Sequence, residues 1–134
     1  MAETEIDVEP ASTLDYVESL LAANDLPVAD LRSGAGRFLV ARRAGERVGV
    51  GGLEVHGTEG LVRSVAVERA ARGEGVGTAL CDALATEART AGVETLYLLT
   101  TTAADFFARR GYERCGRDAT PPSIRATTEF ATLC

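Results

Sequence analysis

The chain has no lysine and no tryptophan, and only one histidine, one methionine, four prolines and 5% aromatic residues. Each shortage excludes something. A P-loop needs a lysine after its last glycine, so nucleotide-triphosphate chemistry of that kind is ruled out. No apolar run approaches the roughly 20 residues that a membrane-spanning helix requires. The start, Met1-Ala2-Glu3-Thr4-Glu5, is acidic where a secretory signal would be basic, which predicts a cytoplasmic location. Cys81, Cys115 and Cys134 are odd in number and scattered, which argues against a disulfide framework, and no metal is expected. All fourteen bases are arginine and face twenty acids, for a net charge of −6. Binding a phosphate backbone needs a basic surface, so nucleic acid is disfavoured as a partner. The missing lysine, with abundant Asp, Glu, Ala and Gly, points to a GC-rich genome. The acidity fits a salt-adapted cytoplasm and compositional drift equally well.

What remains is ordinary globular material: 134 residues, 46% apolar and 25% charged. That is one domain, 1–134, with enough length for a core of its own. Glu5–Glu9 reads as an opening strand. Ser12 reads as a helix N-cap with Asp15 three residues on, and Leu14, Val17, Leu20 and Leu21 form one helical face. Asn24 and Pro27 bracket the exit, and Pro27–Leu31 reads as a short second helical turn. Arg37–Arg43 and Arg47–Val55 are strands joined by a hairpin at Ala44-Gly45-Glu46. In the second, Gly49, Gly51 and Gly52 permit close approach of backbone or ligand. Leu61–Val67 follows as a strand. A helix over Val76–Ala91 buries Val76, Leu80, Ala83, Leu84 and Ala88 and ends at Gly92. Thr95–Thr101 reads as a strand buried on both sides. Thr102 with Asp105 starts a short helix, Ala103–Arg110. Tyr112–Cys115 and Thr128–Leu133 read as further strands around a turn or short helix at Ser123–Ala126. The order predicts a mixed α/β sheet with a parallel pair across the crossover helix.

The segment Arg72-Gly73-Glu74-Gly75-Val76-Gly77, between an apolar strand and an alanine-rich helix, carries the most chemistry. A glycine turn at a helix N-terminus presents unpaired N–H groups at the positive end of the helix dipole, which suits phosphate. A dinucleotide fingerprint would need a third glycine where Leu80 stands. The pattern that fits is [Q/R]-x-x-G-x-[G/A], filled by Arg72, Gly75 and Gly77. This resembles the pyrophosphate loop of the GNAT superfamily of acyl-CoA N-acyltransferases, and the element order resembles that fold over nearly the whole chain.

The resemblance implies an α/β GNAT fold with a cleft between the fourth and fifth strands, and acetyl-CoA as co-substrate. It assigns cofactor contacts to Val65, Ala66 and Val67 on the fourth strand and to Arg72, Gly73, Glu74, Gly75, Val76, Gly77 and Thr78 at the loop and helix start. Phe106 and Phe107 complete that set. The reaction implied is transfer of acetyl from the thioester to an amine, with the Val65 N–H at the developing oxyanion. Glu54, His56 and Glu59 are candidates for taking the amine proton, directly or through water. Imidazole suits general-base work because its ordinary titration lies close to neutrality, although an exposed loop histidine would look the same in sequence.

Many members read F-Y-x-x-x-G-F after the fifth strand, with the tyrosine as general acid. Here Phe106-Phe107-Ala108-Arg109-Arg110-Gly111-Tyr112 places a phenylalanine at that position. The acid is then solvent, a hydroxyl such as Thr100 or Thr101, or unnecessary. Alternation along Leu61–Val67 predicts that Leu61, Arg63, Val65 and Val67 share one face. An arginine in an apolar strand needs an anionic partner. For Arg63 that partner is either a substrate oxyanion or a carboxylate on the neighbouring strand, Glu54 or Glu59.

Three segments extend the resemblance to the acetyltransferase branch associated with arsenic-resistance operons: Leu61–Val67, Leu96–Tyr112 and Pro122–Cys134. That branch implies an amino-acid-like toxin, an organoarsenical or a phosphinic glutamate mimic, acetylated on its amine, with Arg63, Thr100 and Arg125 meeting the acceptor. Cys115 and Cys134 leave open a soft-ligand site for trivalent arsenic. A CoA-binding sensor with little transferase activity is the alternative from another class, and protein acetylation is less favoured. A homodimer is compatible with the resemblance.

Overall fold

A computed structural model describes residues 6–26, 28, 36–98, 103–113, 115 and 120–126. Strand β1 (Ile6–Pro10) leads to helix α1 (Asp15–Ala23), then to β2 (Gly36–Arg43), β3 (Glu46–His56) and β4 (Glu59–Val67). After one 3-10 turn at Arg69–Ala71 come α2 (Val76–Thr90), β5 (Thr95–Leu98), α3 (Ala104–Arg109) and α4 (Pro122–Arg125). The strands lie in the order β1-β2-β3-β4-β5, antiparallel except for the parallel pair β4–β5. The mixed sheet and the crossover through α2 are as expected. No helix among the described residues is long and apolar enough to cross a membrane.

Helix α2 lies on one face of the sheet. Val76, Leu80, Leu84 and Ala88 bury against Leu39, Ala41, Val48, Leu53 and Val62. Cys81 is buried as well, whereas Ala83 is only partly so. The approach is close because β3 carries glycine there. A Cβ on Gly51 would stand 2.9 Å from Leu84 Cδ1, and one on Gly49 would stand 3.0 Å from Val76 Cγ1. The other face holds Phe38, Val40, Val50 and Ala66 against Val17, Leu20 and Leu21 of α1. Gly92 ends α2 at φ 89°, as its position predicts.

Several local expectations are corrected. Ser12 does not cap α1; Leu14 occupies the cap position with no side-chain hydrogen bond, because the helix begins two residues later. Strand β5 is not buried on both sides: Thr95 is exposed and Leu96, Tyr97 and Leu98 are half-buried. Its only ladder partner among the described residues is β4, so sheet neighbours enclose one edge rather than two. Tyr112 and Glu113 are irregular, not strand. Ala103 rather than a side-chain-bonded residue caps α3. Pro27, residues 29–31, Thr102 and the strand expected over Thr128–Leu133 lie outside the described residues.

One link across the sheet has no local sequence signal. Tyr16 Oη donates to Glu68 Oε2 at 2.6 Å, and the Arg47 guanidinium sits 4.4 Å above the Tyr16 ring. Burial, then the hydrogen bond to Glu68, pushes the Tyr16 hydroxyl far above its ordinary range. The folded state therefore holds that proton more tightly than the unfolded chain does. The stability from this link is complete below about pH 10 and is lost as pH rises beyond it. Tyr16→Phe is expected to cost about 1 kcal/mol near neutrality, with the gap to wild type closing in alkaline melts.

Candidate functional site

Strand β4 departs from simple alternation at one point, and the departure shapes the site. Arg63 faces Gly52 and Ala66 faces Val50, so Ser64 and Val65 together oppose the single residue Gly51. This is a β-bulge, with Ser64 at φ 59°, and an inserted residue reverses the alternation beyond it. Before the bulge Leu61 packs with Ile124 of α4, on the face away from α2. After it Val65 and Val67 pack on the α2 side, and Ala66 turns to α1. Leu61, Arg63, Val65 and Val67 therefore do not share a face.

The ladder between β4 and β5 runs from Glu59–Thr95 to Val62–Leu98, and β4 continues to Val67. Residues 99–102 are outside the described set, including the candidates Thr100 and Thr101. Beside the end of β4 stands the N-terminus of α2. Gly75 caps it at φ 89° with no side-chain hydrogen bond, and the first intrahelical bond is from Ala79 N to Gly75 O. The N–H groups of Val76, Gly77 and Thr78 are thus left without intrahelical acceptors. A Cβ on Gly77 would lie 3.5 Å from the Phe106 ring and 4.0 Å from Val67 Cγ2. Strand end, helix start and α3 therefore converge at Gly77. Exposed glycine backbone, open amides and the partly buried Phe106 and Val67 fit an anionic ligand with an apolar arm.

The side chains around this loop are already engaged. Arg72 donates to Asn24 Oδ1 at 2.5 Å and to the Val67 carbonyl at 3.3 Å. It ties the loop to the end of α1, where Asn24 also donates to the Leu20 carbonyl. Arg43 of β2 pairs with Glu74, the one acid in the turn. Neither Asn24 nor Arg43 carries a motif, and only the fold brings them here. Gly73 and Glu74 are exposed, and Val76 is buried.

Phe107 is buried. Its ring makes edge contacts with Phe106 at 5.0 Å and with Tyr112 at 5.6 Å between centroids. Tyr112 is half-buried, and that burial raises its hydroxyl above the ordinary range.

On the face away from α2 lies a polar cluster. Arg63 Nη1 donates to Glu54 Oε2 at 2.6 Å, with the two side chains only 1% and 3% exposed. Arg63 Nε donates to Ser64 Oγ at 3.0 Å. His56 Nε2 lies 3.0 Å from the other Glu54 oxygen, Oε1. An ionised carboxylate only accepts, so the proton in this contact belongs to Nε2. Helix α4 covers the neighbouring part of β4. Ser123 donates to Glu59 Oε1 at 2.7 Å, and Arg125 is exposed. The geometry thus brings Glu54, His56 and Arg63 together and keeps Glu59 on a separate bond. Cys115 is exposed, 3.8 Å from Thr120 Oγ1, and Cys134 is outside the described residues.

The family model for the acetyltransferase (GNAT) domain matches residues 34–114. An IAA acetyltransferase of Azospirillum brasilense is 38% identical over 90 residues, a stretch covering 63% of this chain and 59% of that protein. The solved N-acetylglutamate synthase of Neisseria gonorrhoeae, complexed with coenzyme A and L-arginine, superposes with a TM-score of 0.77 at 22% identity. That likeness covers 92% of this chain and 31% of the Neisseria chain. Rv2747 of Mycobacterium tuberculosis, solved with CoA, gives a TM-score of 0.75 at 27% identity, over 88% of this chain and 78% of that one. This chain therefore spans 59% of the first of these relatives and 31% of the second.

Proposed function

The chain belongs to the GNAT acetyltransferase family, and from that premise we propose that it transfers acetyl from acetyl-CoA to the amine of a small substrate carrying an anionic group. The observation that carries this reading is the convergence at Gly77 of the β4 end, the uncapped start of α2 and Phe106. The amides of Val76, Gly77 and Thr78 would hold pyrophosphate oxygens. The backbone of Val65, Ala66 and Val67 would run beside the pantetheine amides as an added strand does. Val65, the second residue of the bulge, is the donor for the thioester oxygen. The N-acetylglutamate synthase and Rv2747 were both solved with CoA, which supports acetyl-CoA as the donor here.

The His56–Glu54 pair is the acceptor of the amine proton. The Glu54 carboxylate holds the imidazole with Nε2 protonated and stabilises it once Nδ1 has taken a proton. Arg125, exposed at the end of the helix that covers this face, meets the anionic group of the substrate. The finer reading, an arsenic-resistance enzyme acting on an amino-acid-like toxin, rests on the three matching segments that include Leu61–Val67.

The test is thiol release from acetyl-CoA across a panel of neutral amines, amino acids, and arsinic and phosphinic glutamate mimics. Turnover is expected, with anionic amines ahead of neutral ones. CoA binding without turnover on any amine would establish the sensor reading, which the buried, proton-less Phe107 favours. Phe107→Tyr is expected to change kcat by less than about threefold, because its ring lies in the Phe106–Tyr112 contact and an added hydroxyl would sit among rings. A tenfold gain would show that a missing acid limits the reaction.

A further inference from the structure

Arg63 reads from sequence as a substrate ligand as readily as a structural partner, and its surroundings decide otherwise. Its guanidinium is nearly fully buried, and its contacts include bonds in two directions. Nη1 reaches Glu54 Oε2 on β3, and Nε reaches Ser64 Oγ on its own strand. Glu54 spends its other oxygen on His56 Nε2. Ser64 is the residue at positive φ inside the bulge, immediately before Val65. A continuous polar chain therefore runs His56–Glu54–Arg63–Ser64, from the half-exposed imidazole to the bulge.

A non-glycine residue in the left-handed region persists only where its surroundings hold it. The bond from Arg63 is one such constraint. The rigid fork of a guanidinium makes both contacts at once, which an ammonium on a flexible stem does poorly.

We propose that Arg63 is a positioning residue for acetyl transfer, its guanidinium fixing Glu54 and hence His56 on one side and the Ser64 bulge beside Val65 on the other. This rests on the acetyltransferase reading above. Arg63 touches neither substrate; it sets the distance between the proton acceptor and the strand segment that meets the thioester. A misplacement of about 1 Å at such a distance costs on the order of 100-fold in rate.

The experiment compares wild type, Arg63→Gln and Arg63→Lys with two readouts. The first is steady-state kinetics on a neutral and an anionic amine of the same skeleton. Arg63→Gln is expected to lose about 100-fold in kcat on both amines alike, with KM for acetyl-CoA within about threefold. Arg63→Lys, which keeps the ion pair but not the bond to Ser64, should recover only part of the loss. A loss confined to KM for the anionic amine would overturn the proposal and make Arg63 a substrate ligand. The second readout needs no turnover. His56 is the only histidine, so its imidazole nitrogen resonances are unambiguous. Wild type should show Nε2 protonated and Nδ1 bare, and Arg63→Gln should show a tautomer mixture. An unchanged tautomer would also overturn the proposal. If Arg63→Gln is too unstable to assay, Arg63→Lys carries both readouts, with a partial loss of kcat and a partial tautomer mixture expected, and wild-type values in both would overturn the proposal. If wild type acetylates no amine, the functional reading fails, and the nitrogen spectra still decide whether Arg63 orders His56.

Discussion

Gly77→Asp is expected to abolish acetyl-CoA binding while the protein stays folded. The two halves of that expectation have separate causes. A Cβ at Gly77 meets the Phe106 ring at 3.5 Å, an ordinary contact, so the backbone has room for a side chain. A carboxylate in the first turn of α2 also complements the helix dipole, which adds a few tenths of a kcal/mol to the fold. The same charge stands where the open amides would receive pyrophosphate. It blocks the approach and repels the ligand, and affinity should fall by at least about 100-fold, or ~2.7 kcal/mol. Gly77→Ala, which adds the Cβ without the charge, should lose less than about tenfold. Gly75→Asp should lose binding as well, but at a further stability cost of about 1 kcal/mol, because Gly75 sits at φ 89°. Calorimetric titration with acetyl-CoA, paired with thermal melts, measures both quantities. Unchanged affinity in Gly77→Asp would remove the α2 N-terminus from the cofactor site.

The largest stability loss is expected from Glu54→Ala. It leaves the Arg63 guanidinium buried without its carboxylate, and breaking one side of a buried pair costs about 3–5 kcal/mol. For a chain of this size the melting temperature should drop by roughly 10–15 °C. Replacing both partners, Glu54→Leu with Arg63→Met, is expected to recover most of that loss, because neither charge then needs compensation. The paired apolar variant should nevertheless stay inactive, having lost the support of His56. Denaturant unfolding of the two variants and wild type separates these outcomes. A Glu54→Ala protein within 1 kcal/mol of wild type would mean that water or another group already compensates Arg63.

The sequence by itself determined the elements whose cause is local. Alternating apolar residues place β2, β3 and β4 within a few residues of their observed bounds, and the 3.6-residue period places α2 almost to the residue. The turn Arg72–Gly77 was legible because glycine at positive φ and open helix amides are properties of a few adjacent residues. So was the departure at Phe107. Tertiary structure alone decided the rest. Alternation predicts a face only while every residue is paired one to one, and the Ser64–Val65 bulge broke that count, sending Val65 and Val67 to the α2 side while Arg63 stayed opposite. Which carboxylate Arg63 meets depended on inter-strand register, which sets Gly52 across from it and Glu54 one diagonal away. The capture of Arg72 by Asn24, of Glu74 by Arg43 and of Tyr16 by Glu68 joins residues 31 to 52 positions apart. No local propensity encodes such pairs; they exist because burying the apolar faces of α1 and α2 on opposite sides of one sheet brings the polar edges of those elements together.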